Sequence, residues 1–178
     1  MEKLSCAIIG HSPQRFKFKY NEKAPLCRAI KKAITGQIKT LYSQGVRIFY
    51  VGCGVGVDTW SAEIVLELSQ QADFADIELF CKIPFPEHSE KFTAGQRQRY
   101  ENILSRCIHK ETVSRHYSPV AYKRLNYYMI DKSQYLIAVY DQDKSERSNL
   151  GHTVNYAVKN NLQVSFIHPD TAEMNNFI

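Results

Sequence analysis

One stretch decides the fold class of this chain: Val46-Arg-Ile-Phe-Tyr-Val-Gly-Cys-Gly-Val-Gly-Val-Asp58. Its first six residues form a nearly continuous apolar run, which is typical of a strand covered by helices on both faces of a sheet. Glycines at alternate positions follow directly, and Asp58 then begins a segment with apolar residues at helical spacing. A strand, a glycine turn and a helix in this order predict one β-α unit of a parallel sheet.

The same alternation continues on both sides of this unit. We predict strands at residues 5–9, 46–51, 77–83, 135–140 and 164–167, a short strand at 112–114, and helices at 26–41, 58–71, 89–105, 120–132 and 153–160. Segments of these lengths in alternation predict an α/β fold with a mostly parallel sheet, right-handed crossovers and helices on both faces. Because the chain has 178 residues, we expect residues 1–178 to form a single domain.

Composition and cysteine spacing indicate the compartment. Hydrophobic residues make up 44% of the chain and charged residues 23%, which is close to the average of soluble globular proteins and argues against disorder. The five cysteines lie 20 or more residues apart without a C-x-x-C pair, so we expect reduced thiols rather than disulfides or zinc. No apolar run approaches the ~20 residues of a membrane helix. We therefore predict a cytoplasmic protein with no membrane partner.

Four turns follow predicted strands, and ligands of open α/β sheets bind beyond the carboxyl ends of the strands. The turns are 10–15, 52–58, 84–86 and 141–153. Glycines in the second turn allow a ligand to approach the backbone, and amides at the next helix can hold a phosphate, although a glycine turn also arises from packing alone. We expect Asp58 to cap the helix at 58–71, and Thr153 or Asn149 to cap the last helix. Phe85 is predicted to belong to the core.

Motif spacing argues against several common chemistries. The chain has no Gly-Lys-Ser or Gly-Lys-Thr, which argues against a P-loop, and G-x-G-x-G with Glu78 early in a strand does not match NAD recognition. The six histidines show no metal-ligand spacing and no G-x-S-x-G elbow is present, so we predict no metal site and find no local support for a nucleophilic hydrolase. Glu63, five residues beyond Asp58, could cap backbone amides or act as an acid or base near a ligand.

The formal charge of +5 is unevenly distributed along the chain. Residues 1–50 carry ten basic and two acidic side chains, and residues 91–132 carry nine and three. From this pattern we expect Arg15 and Arg124 to reach toward a shared cleft and to form a local anion site. Basic residues and tyrosines also alternate between 97 and 128, a composition that can bind single-stranded nucleic acid but more often represents solvated helix faces and core tyrosines.

A set of motifs in register resembles a known family. The motifs are Gly10-His11, Gly52-x-Gly-x-Gly-x-Asp58-x-Trp60-x-Ala62-Glu63, Pro84-Phe85, Arg124-x-Asn126-x-x-Met129-x-Asp131-x-Ser133, Leu136-Ile-Ala-Val-Tyr-Asp141 and Thr153-Val-x-Tyr-Ala157. Together they resemble the YpsA-like family of the SLOG superfamily, whose relatives include the LOG phosphoribohydrolases and the DNA-processing protein DprA. The resemblance implies a Rossmann-like domain with a nucleotide-type ligand at the carboxyl ends of the strands.

The resemblance also implies which residues contact the ligand. The first ligand loop would contain Gly10 and His11, the second would contain Gly52, Gly54, Gly56 and Asp58, and Asp141 would begin the last. Asn149-Leu150 stands where the family usually has Gly-Thr, which weakens the case for a phosphate contact there. Ser12 stands where an arginine is common, with Arg15 nearby as a substitute.

We predict from these observations that the chain binds or senses a nucleotide-derived small molecule, such as a nucleotide or a nucleotide sugar. The predicted ligand-binding residues are Gly10, His11, Arg15, Gly52, Gly54, Gly56, Asp58, Arg124, Asp141, Gly151 and Thr153. Two alternatives stay open: a LOG-like nucleoside-monophosphate phosphoribohydrolase with Glu63 and Asp58 as catalytic candidates, and DprA-like binding of nucleic acid. The sequence does not decide whether the chain is an enzyme or whether it forms a homo-oligomer.

Overall fold

The computed structural model describes residues 3–143 and 148–177, which form a seven-stranded sheet flanked by five α-helices. The strands are β1 (Leu4–Gly10), β2 (Val46–Gly52), β3 (Glu78–Ile83), β4 (His109–Thr112), β5 (Tyr135–Val139), β6 (Gln163–Ile167) and β7 (Met174–Phe177). The helices are α1 (Pro25–Ser43), α2 (Val57–Leu68), α3 (Ala94–Arg106), α4 (Ala121–Asp131) and α5 (Asn149–Lys159). Short 3-10 turns lie at Pro13–Arg15, Ala72–Phe74 and Pro86–Ser89.

The strand order is β4-β3-β2-β1-β5-β6-β7. All neighbouring strands are parallel except β6 and β7, which pair antiparallel. Strands β2 to β4 lie on one side of β1, and β5 then returns to its other side. The strand order therefore reverses between β1 and β5, which is where sheets of this kind bind ligands. The predicted α/β, Rossmann-like fold is confirmed.

Two hydrophobic cores cover the two faces of the sheet. Phe49 and Trp60 belong to the core beneath α1, α2 and α3, whereas Met129 and Leu136 belong to the core beneath α4 and α5. Neighbouring residues of β1 contribute to opposite cores because side chains alternate across a strand. Helices on both faces explain why the central strands are apolar almost throughout, as the sequence predicts.

Helix α1 forms where the sequence places it. Pro25 is its first residue, a position where the missing N–H costs no hydrogen bond. Its buried side chains recur every three or four residues and so share one face; they include Ile30, Ile34, Ile38 and Leu41. Gly45, with φ of +100°, lies between the end of α1 and the start of β2.

Three element boundaries differ from prediction, and one strand is missed. Helix α3 begins at residue 94 because Thr93 and Gln96 form a capping box, and the segment before it forms a separate 3-10 turn. Strand β4 ends at residue 112 instead of beginning there. Helix α5 begins at residue 149 because the Ser148 hydroxyl accepts a hydrogen bond from the Gly151 N–H, so the predicted caps Thr153 and Asn149 are wrong. Strand β7 is missed since Met-Asn-Asn-Phe has no apolar run.

The described part of the chain adds two observations on membranes and metals. None of its helices combines the length and the apolar character that crossing a membrane requires. Among residues 3–143 and 148–177, no three or more His, Cys, Asp or Glu side chains gather in a way that could hold a metal ion. All five cysteines carry free thiols, and four of these are buried.

Candidate ligand-binding cleft

A cavity of about 450 Å³ opens at the carboxyl ends of the central strands, and we call it the cleft. It is lined by Gly10, His11, Ser12, Pro13, Gln14, Tyr20, Gly54, Val55, Asp58, His88, Phe92 and Tyr122. The turn after β1 and the turn after β2 form one side, and residues that follow β3 or begin α4 supply His88, Phe92 and Tyr122. The structure thus brings together the first two of the four turns that the sequence nominates, and adds residues that follow the third.

Asp58 organises the glycine turn between β2 and α2. Its Oδ2 accepts a hydrogen bond from the Gly54 N–H at 3.0 Å. The same oxygen would stand 2.7 Å from a Cβ on Gly52 and 2.8 Å from a Cβ on Gly54, so side chains there would displace it. The cap of α2 is Gly56, and Asp58 lies in the first turn of the helix. The expectation that Asp58 is the cap is therefore wrong, because its carboxylate turns back to the loop.

The other two glycines hold the first and second turns together. A Cβ on Gly10 would lie 2.5 Å from a methyl group of Val57, which is almost fully buried. Gly56 has φ of +92°, a conformation that favours glycine, and a Cβ there would lie 3.0 Å from the ring of Pro13. Packing inside the protein therefore accounts for all four glycines, which is the alternative that the sequence left open.

The Asp58 carboxyl group lines the cleft and is only partly exposed. Burial raises its pKa to about 6, and the hydrogen bond from Gly54 opposes that rise only in part. The group is thus ionised at neutral pH, although burial disfavours its charged form. Perturbed carboxyl groups in clefts are candidates for ligand contact or proton transfer.

His88 connects the glycine turn to the aromatic wall of the cleft. Its Nε2 lies 3.0 Å from the Cys53 carbonyl oxygen and its Nδ1 lies 3.2 Å from the Tyr122 hydroxyl. Since a carbonyl only accepts, Nε2 carries the proton and Nδ1 accepts from Tyr122. Burial lowers the pKa of His88, which favours this neutral form.

Edge-to-face ring contacts hold the aromatic wall in place. Phe85 contacts His88 and Tyr122 at centroid distances of 5.8 Å each, and Phe92 contacts His88 at 5.2 Å. Phe85 itself is buried, as predicted for a core residue. Tyr122 remains 41% exposed, so its ring reaches the mouth of the cleft.

Arg15 lies beside the cleft, where carboxylates occupy its guanidinium. It donates to Asp141 at 2.6 Å and to Asp170 at 3.0 and 3.3 Å. Burial opposes ionisation of Asp141, but the Arg15 hydrogen bond holds its pKa below the ordinary value, and the same bond lowers the pKa of Asp170. His11 Nε2 lies 3.8 Å from Asp141 Oδ1. Arg15 therefore joins three segments of the fold, and its charge is neutralised by the protein itself.

Arg124 lies in a different cavity, which corrects the expectation that it shares a cleft with Arg15. This cavity, which we call the α4 groove, has a volume of about 460 Å³. It is lined by Val113, Val120, Lys123, Arg124, Tyr127, Tyr128 and Asp131. Helical geometry explains the separation, because Tyr122 and Arg124 lie about 200° apart around α4.

Glu63 faces α3 and is absent from the cleft lining. Its two oxygens accept from Arg99 at 2.8 and 2.7 Å, and Arg99 also donates to Glu22. The carboxylate of Glu63 therefore connects α2 to α3. Of the two catalytic candidates, only Asp58 is among the residues that line the cleft.

Gly151 and Thr153 have structural roles in α5. Thr153 is fully buried; its hydroxyl donates to the Asn149 carbonyl and accepts from Asn126. The Gly151 N–H donates to Ser148, so the capping bond occupies it. Neither residue lines the cleft, and Asp141 faces Arg15.

Four aromatic residues of the cleft are missed by sequence reasoning: Tyr20, His88, Phe92 and Tyr122. The turn after β3 is a nominated segment, and His88 lies two residues beyond its Pro86. That proximity is the one available signal, because no pattern in the sequence shows that α4 directs Tyr122 to the same edge. A search limited to glycines and charged residues overlooks such a wall.

The fold and the cleft together define a Rossmann-like protein with its cavity at the carboxyl ends of the central strands. A model of the YspA SLOG family (YpsA) matches residues 6–172 of the chain. A UPF0398 protein of Bacillus cereus strain B4264 is 32% identical over 140 residues, covering 78% of this chain and 74% of that protein. A UPF0398 protein of Bacillus thuringiensis strain Al Hakam is 31% identical with the same coverage. The chain belongs to the YpsA SLOG family.

A solved structure has a similar fold. It is DNA processing protein A from Helicobacter pylori, described for its single-stranded DNA binding mode, with a TM-score of 0.60 and 15% sequence identity. The match covers 92% of this chain and 65% of that one, so this chain spans just under two thirds of its length. At this identity the likeness concerns the fold alone.

Proposed function

We propose that the protein binds a nucleotide-derived small molecule in the cleft. The observation that carries the proposal is one cavity with glycine turns on one side and an aromatic wall on the other. Its volume of about 450 Å³ falls within the roughly 300–1,000 Å³ of small-ligand pockets. It opens at the carboxyl ends of the strands, which is the edge where open α/β sheets bind ligands.

The two sides of the cleft suit the two parts of such a ligand. Tyr122 and Phe92 offer rings against which a planar base can pack. Asp58 presents a carboxylate, the group that binds ribose hydroxyls in many Rossmann-like sites. Gly54 and Val55 also line the cavity and add backbone polar groups to it.

A thermal-shift panel tests this proposal. Bases, nucleosides, nucleoside mono-, di- and triphosphates and nucleotide sugars are added to the purified protein. A ligand at 100 times its dissociation constant stabilises by about 2.7 kcal/mol, and each kcal/mol raises the melting temperature by roughly 2–4 °C for a chain of this size. We expect at least one compound to raise the melting temperature of the unmodified protein.

A matched pair of variants locates the effect. Val55→Trp fills the cleft and should abolish the shift, whereas Val158→Trp adds the same ring to an exposed position on α5 and should retain it. The absence of any shift across the panel, or an equal shift in both variants, would contradict the proposal.

Hydrolysis of an N-glycosidic bond is the enzymatic alternative. The reaction needs a carboxylate near the sugar, and Asp58, with its pKa of about 6, is the carboxylate that lines the cleft in the described residues. Release of free base from nucleoside monophosphates, measured by chromatography, would support this activity. Asp58→Asn should then abolish the release, whereas Glu63→Gln should preserve it because Glu63 pairs with Arg99.

Nucleic-acid binding is favoured by one feature, the basic α4 groove, and by the fold shared with a DNA-binding protein. The groove tyrosines, however, already have partners. Tyr127 stacks on Tyr156 at 3.9 Å with the rings 4° apart, and Lys82 lies 5.2 Å from the centroid of Tyr128. Rings engaged in this way offer less surface to bases. We therefore place single-stranded nucleic acid second, and binding that weakens steeply with added salt would support it.

A further inference from the structure

We infer that the cleft selects the nucleoside end of its ligand: Asp58 accepts a hydrogen bond from a ribose hydroxyl or base N–H, Tyr122 packs against the base, and each added phosphate weakens binding. This inference rests on the proposed function and names the class of ligand. It differs from the sequence-based expectation of an anion site at the same edge of the sheet.

The charges of the cleft lining disfavour a phosphate. Among its described lining residues are one carboxylate, Asp58, and two histidines, His11 and His88, but no lysine or arginine. Burial favours the neutral form of His88, and the hydrogen bond to the Cys53 carbonyl opposes this only in part. Arg15, the nearest candidate for an anion contact, gives three hydrogen bonds to Asp141 and Asp170. A phosphate entering the cleft would thus meet an acidic side chain in a described lining that contains no lysine or arginine.

The glycine turn also disfavours a phosphate. In phosphate-binding turns, free backbone N–H groups and the positive end of the following helix attract the anion. In this protein the Asp58 carboxylate accepts the Gly54 N–H and stands in the first turn of α2. A negative charge built into the chain thus lies at this turn, and a ligand phosphate nearby would be repelled.

The Asp58 carboxylate requires a hydrogen-bond donor on the ligand. Its Oδ2 is fixed by Gly54, which directs the carboxylate and leaves Oδ1 for a ligand. An ionised carboxylate only accepts hydrogen bonds, so the ligand group must be a donor. Ribose hydroxyls and base amino groups are donors at neutral pH, whereas ionised phosphate oxygens are acceptors.

Hydrogen bonds through His88 position the ring of Tyr122. His88 Nδ1 accepts from the Tyr122 hydroxyl and His88 Nε2 donates to Cys53 in the glycine turn. These bonds tie the tyrosine to the same turn that carries Asp58. Tyr122 is therefore a contact residue for the base, and His88 is a positioning residue that acts through it.

Isothermal titration calorimetry at pH 8, without divalent cations, tests the inference. The probes are adenosine, guanosine, cytidine and uridine, each compared with its 5′-mono-, di- and triphosphate. We expect one nucleoside to bind most tightly and affinity to fall by about tenfold between nucleoside and diphosphate, the effect of one unfavourable charge contact near a protein surface. Affinity that rises with phosphate number would overturn the inference while supporting the proposed function. Absence of binding by every probe would overturn the inference, and a thermal-shift panel that also shows no hit would overturn the proposed function.

Three variants connect the selectivity to named residues. Ser12→Arg adds a cation at an exposed position in the lining and should shift the nucleoside-to-diphosphate affinity ratio by about tenfold toward the diphosphate. Asp58→Asn should weaken nucleoside binding and reduce the penalty for each phosphate. Tyr122→Leu should weaken all ligands, whereas Tyr122→Phe keeps the ring and should lose less.

Circular dichroism and melting temperature confirm that each variant is folded. Should Asp58→Asn fail to fold, Ser12→Arg still decides the outcome, because it adds a charge to the cleft and leaves Asp58 with its bond to Gly54. An unchanged affinity ratio in a folded Ser12→Arg protein would contradict the inference.

Discussion

At the scale of single residues, Asp58 explains most of the glycine motif. Its carboxylate requires the space that Gly52 and Gly54 leave open, while Gly10 and Gly56 accommodate Val57 and Pro13. Glycines are therefore required at positions 52 and 54 because the Asp58 side chain folds back on the turn that precedes it. The same side chain lines the cleft, so we assign Asp58 both a structural role in the turn and a role in the proposed ligand contact.

Asp58→Asn should stabilise the protein above pH 6. The pKa of Asp58 rises from an ordinary 3.8 to about 6 on folding, so between these values the folded state binds a proton that the unfolded state has lost. The contribution of Asp58 to stability therefore falls as pH rises from about 4 to 6 and stays low above. We expect the variant to gain about 1–2 kcal/mol at pH 8 and nothing at pH 4, measured by urea unfolding. Equal changes at both pH values would contradict the argument.

Gly10→Ala should destabilise the protein through its contact with Val57. The new Cβ would meet three side-chain atoms of Val57 at 2.5–2.7 Å, and this valine cannot move because it is buried. We expect a loss of about 1–3 kcal/mol in the free energy of unfolding. Gly36→Ala is the matched control, since nothing lies within 4 Å of its Cβ in the middle of α1. The control should gain about 0.5–1 kcal/mol, and a loss there as large as that of Gly10→Ala would refute the packing explanation.

How well single residues are predicted depends on how local their contacts are. Gly10, His11, Gly54 and Asp58 are predicted correctly as neighbours because each follows directly on a strand end of a parallel sheet. The pairing of Arg15 with Asp170 joins positions 155 apart along the chain, and no local pattern indicates it. Arg124, Glu63 and Thr153 lie outside the cleft lining, and the sequence does not show this since the direction of a helical side chain depends on how its helix packs.

At the scale of elements, β-α units with long apolar runs are predicted within a few residues, and short or polar elements are not. Strand β2 and helix α1 have strong periodicities that a covered sheet and a single buried face require. Strand β4 consists of His-Lys-Glu-Thr, and its position at the sheet edge leaves it exposed, so hydrophobicity cannot mark it. Helix α3 has few buried residues, and its start is fixed by a cap rather than by an apolar pattern.

Arg15→Gln should loosen the connection between the first turn, β5 and the turn before β7. Asp141 and Asp170 have pKa values below the ordinary range because Arg15 donates to both, so their contribution is present above about pH 4 and is lost as pH falls further. We expect a loss of about 1–2 kcal/mol at pH 7 that shrinks below pH 4, measured by denaturant unfolding. Lys17→Gln removes the same charge from an exposed side chain 3.9 Å from Asp170 and should change stability by under about 0.5 kcal/mol. Equal losses in both variants would show that net charge, and not the Arg15 contacts, is responsible.

At the scale of the whole molecule, the chain should unfold as one cooperative unit. Trp60, the single tryptophan, is buried against Phe16 and Phe18 in one of the two cores. Its fluorescence therefore reports one face of the sheet, whereas far-UV circular dichroism reports all elements. We expect the two signals to give coincident urea transitions, as for a single domain of this size. Two separated transitions would divide the chain into independent units.

The whole molecule also shows why net charge misleads about the ligand. The basic segments around Arg15 and Arg124 lie at separate places, one neutralised by carboxylates and the other in the α4 groove. The cleft between the glycine turns and the aromatic wall has an acidic group in its lining. A positive total is thus compatible with a ligand whose contacting end carries no phosphate.

Amide chemical-shift mapping tests the central claim most directly, because it locates a bound nucleoside even when affinity is weak. The isotope-labelled protein is titrated with the nucleoside that binds best, and ¹H–¹⁵N spectra are recorded. We expect the largest changes at Gly10, Gly54, Val55 and His88 around the cleft. Changes concentrated at residues 123–131 of the α4 groove, or no changes at saturating nucleoside, would contradict the account.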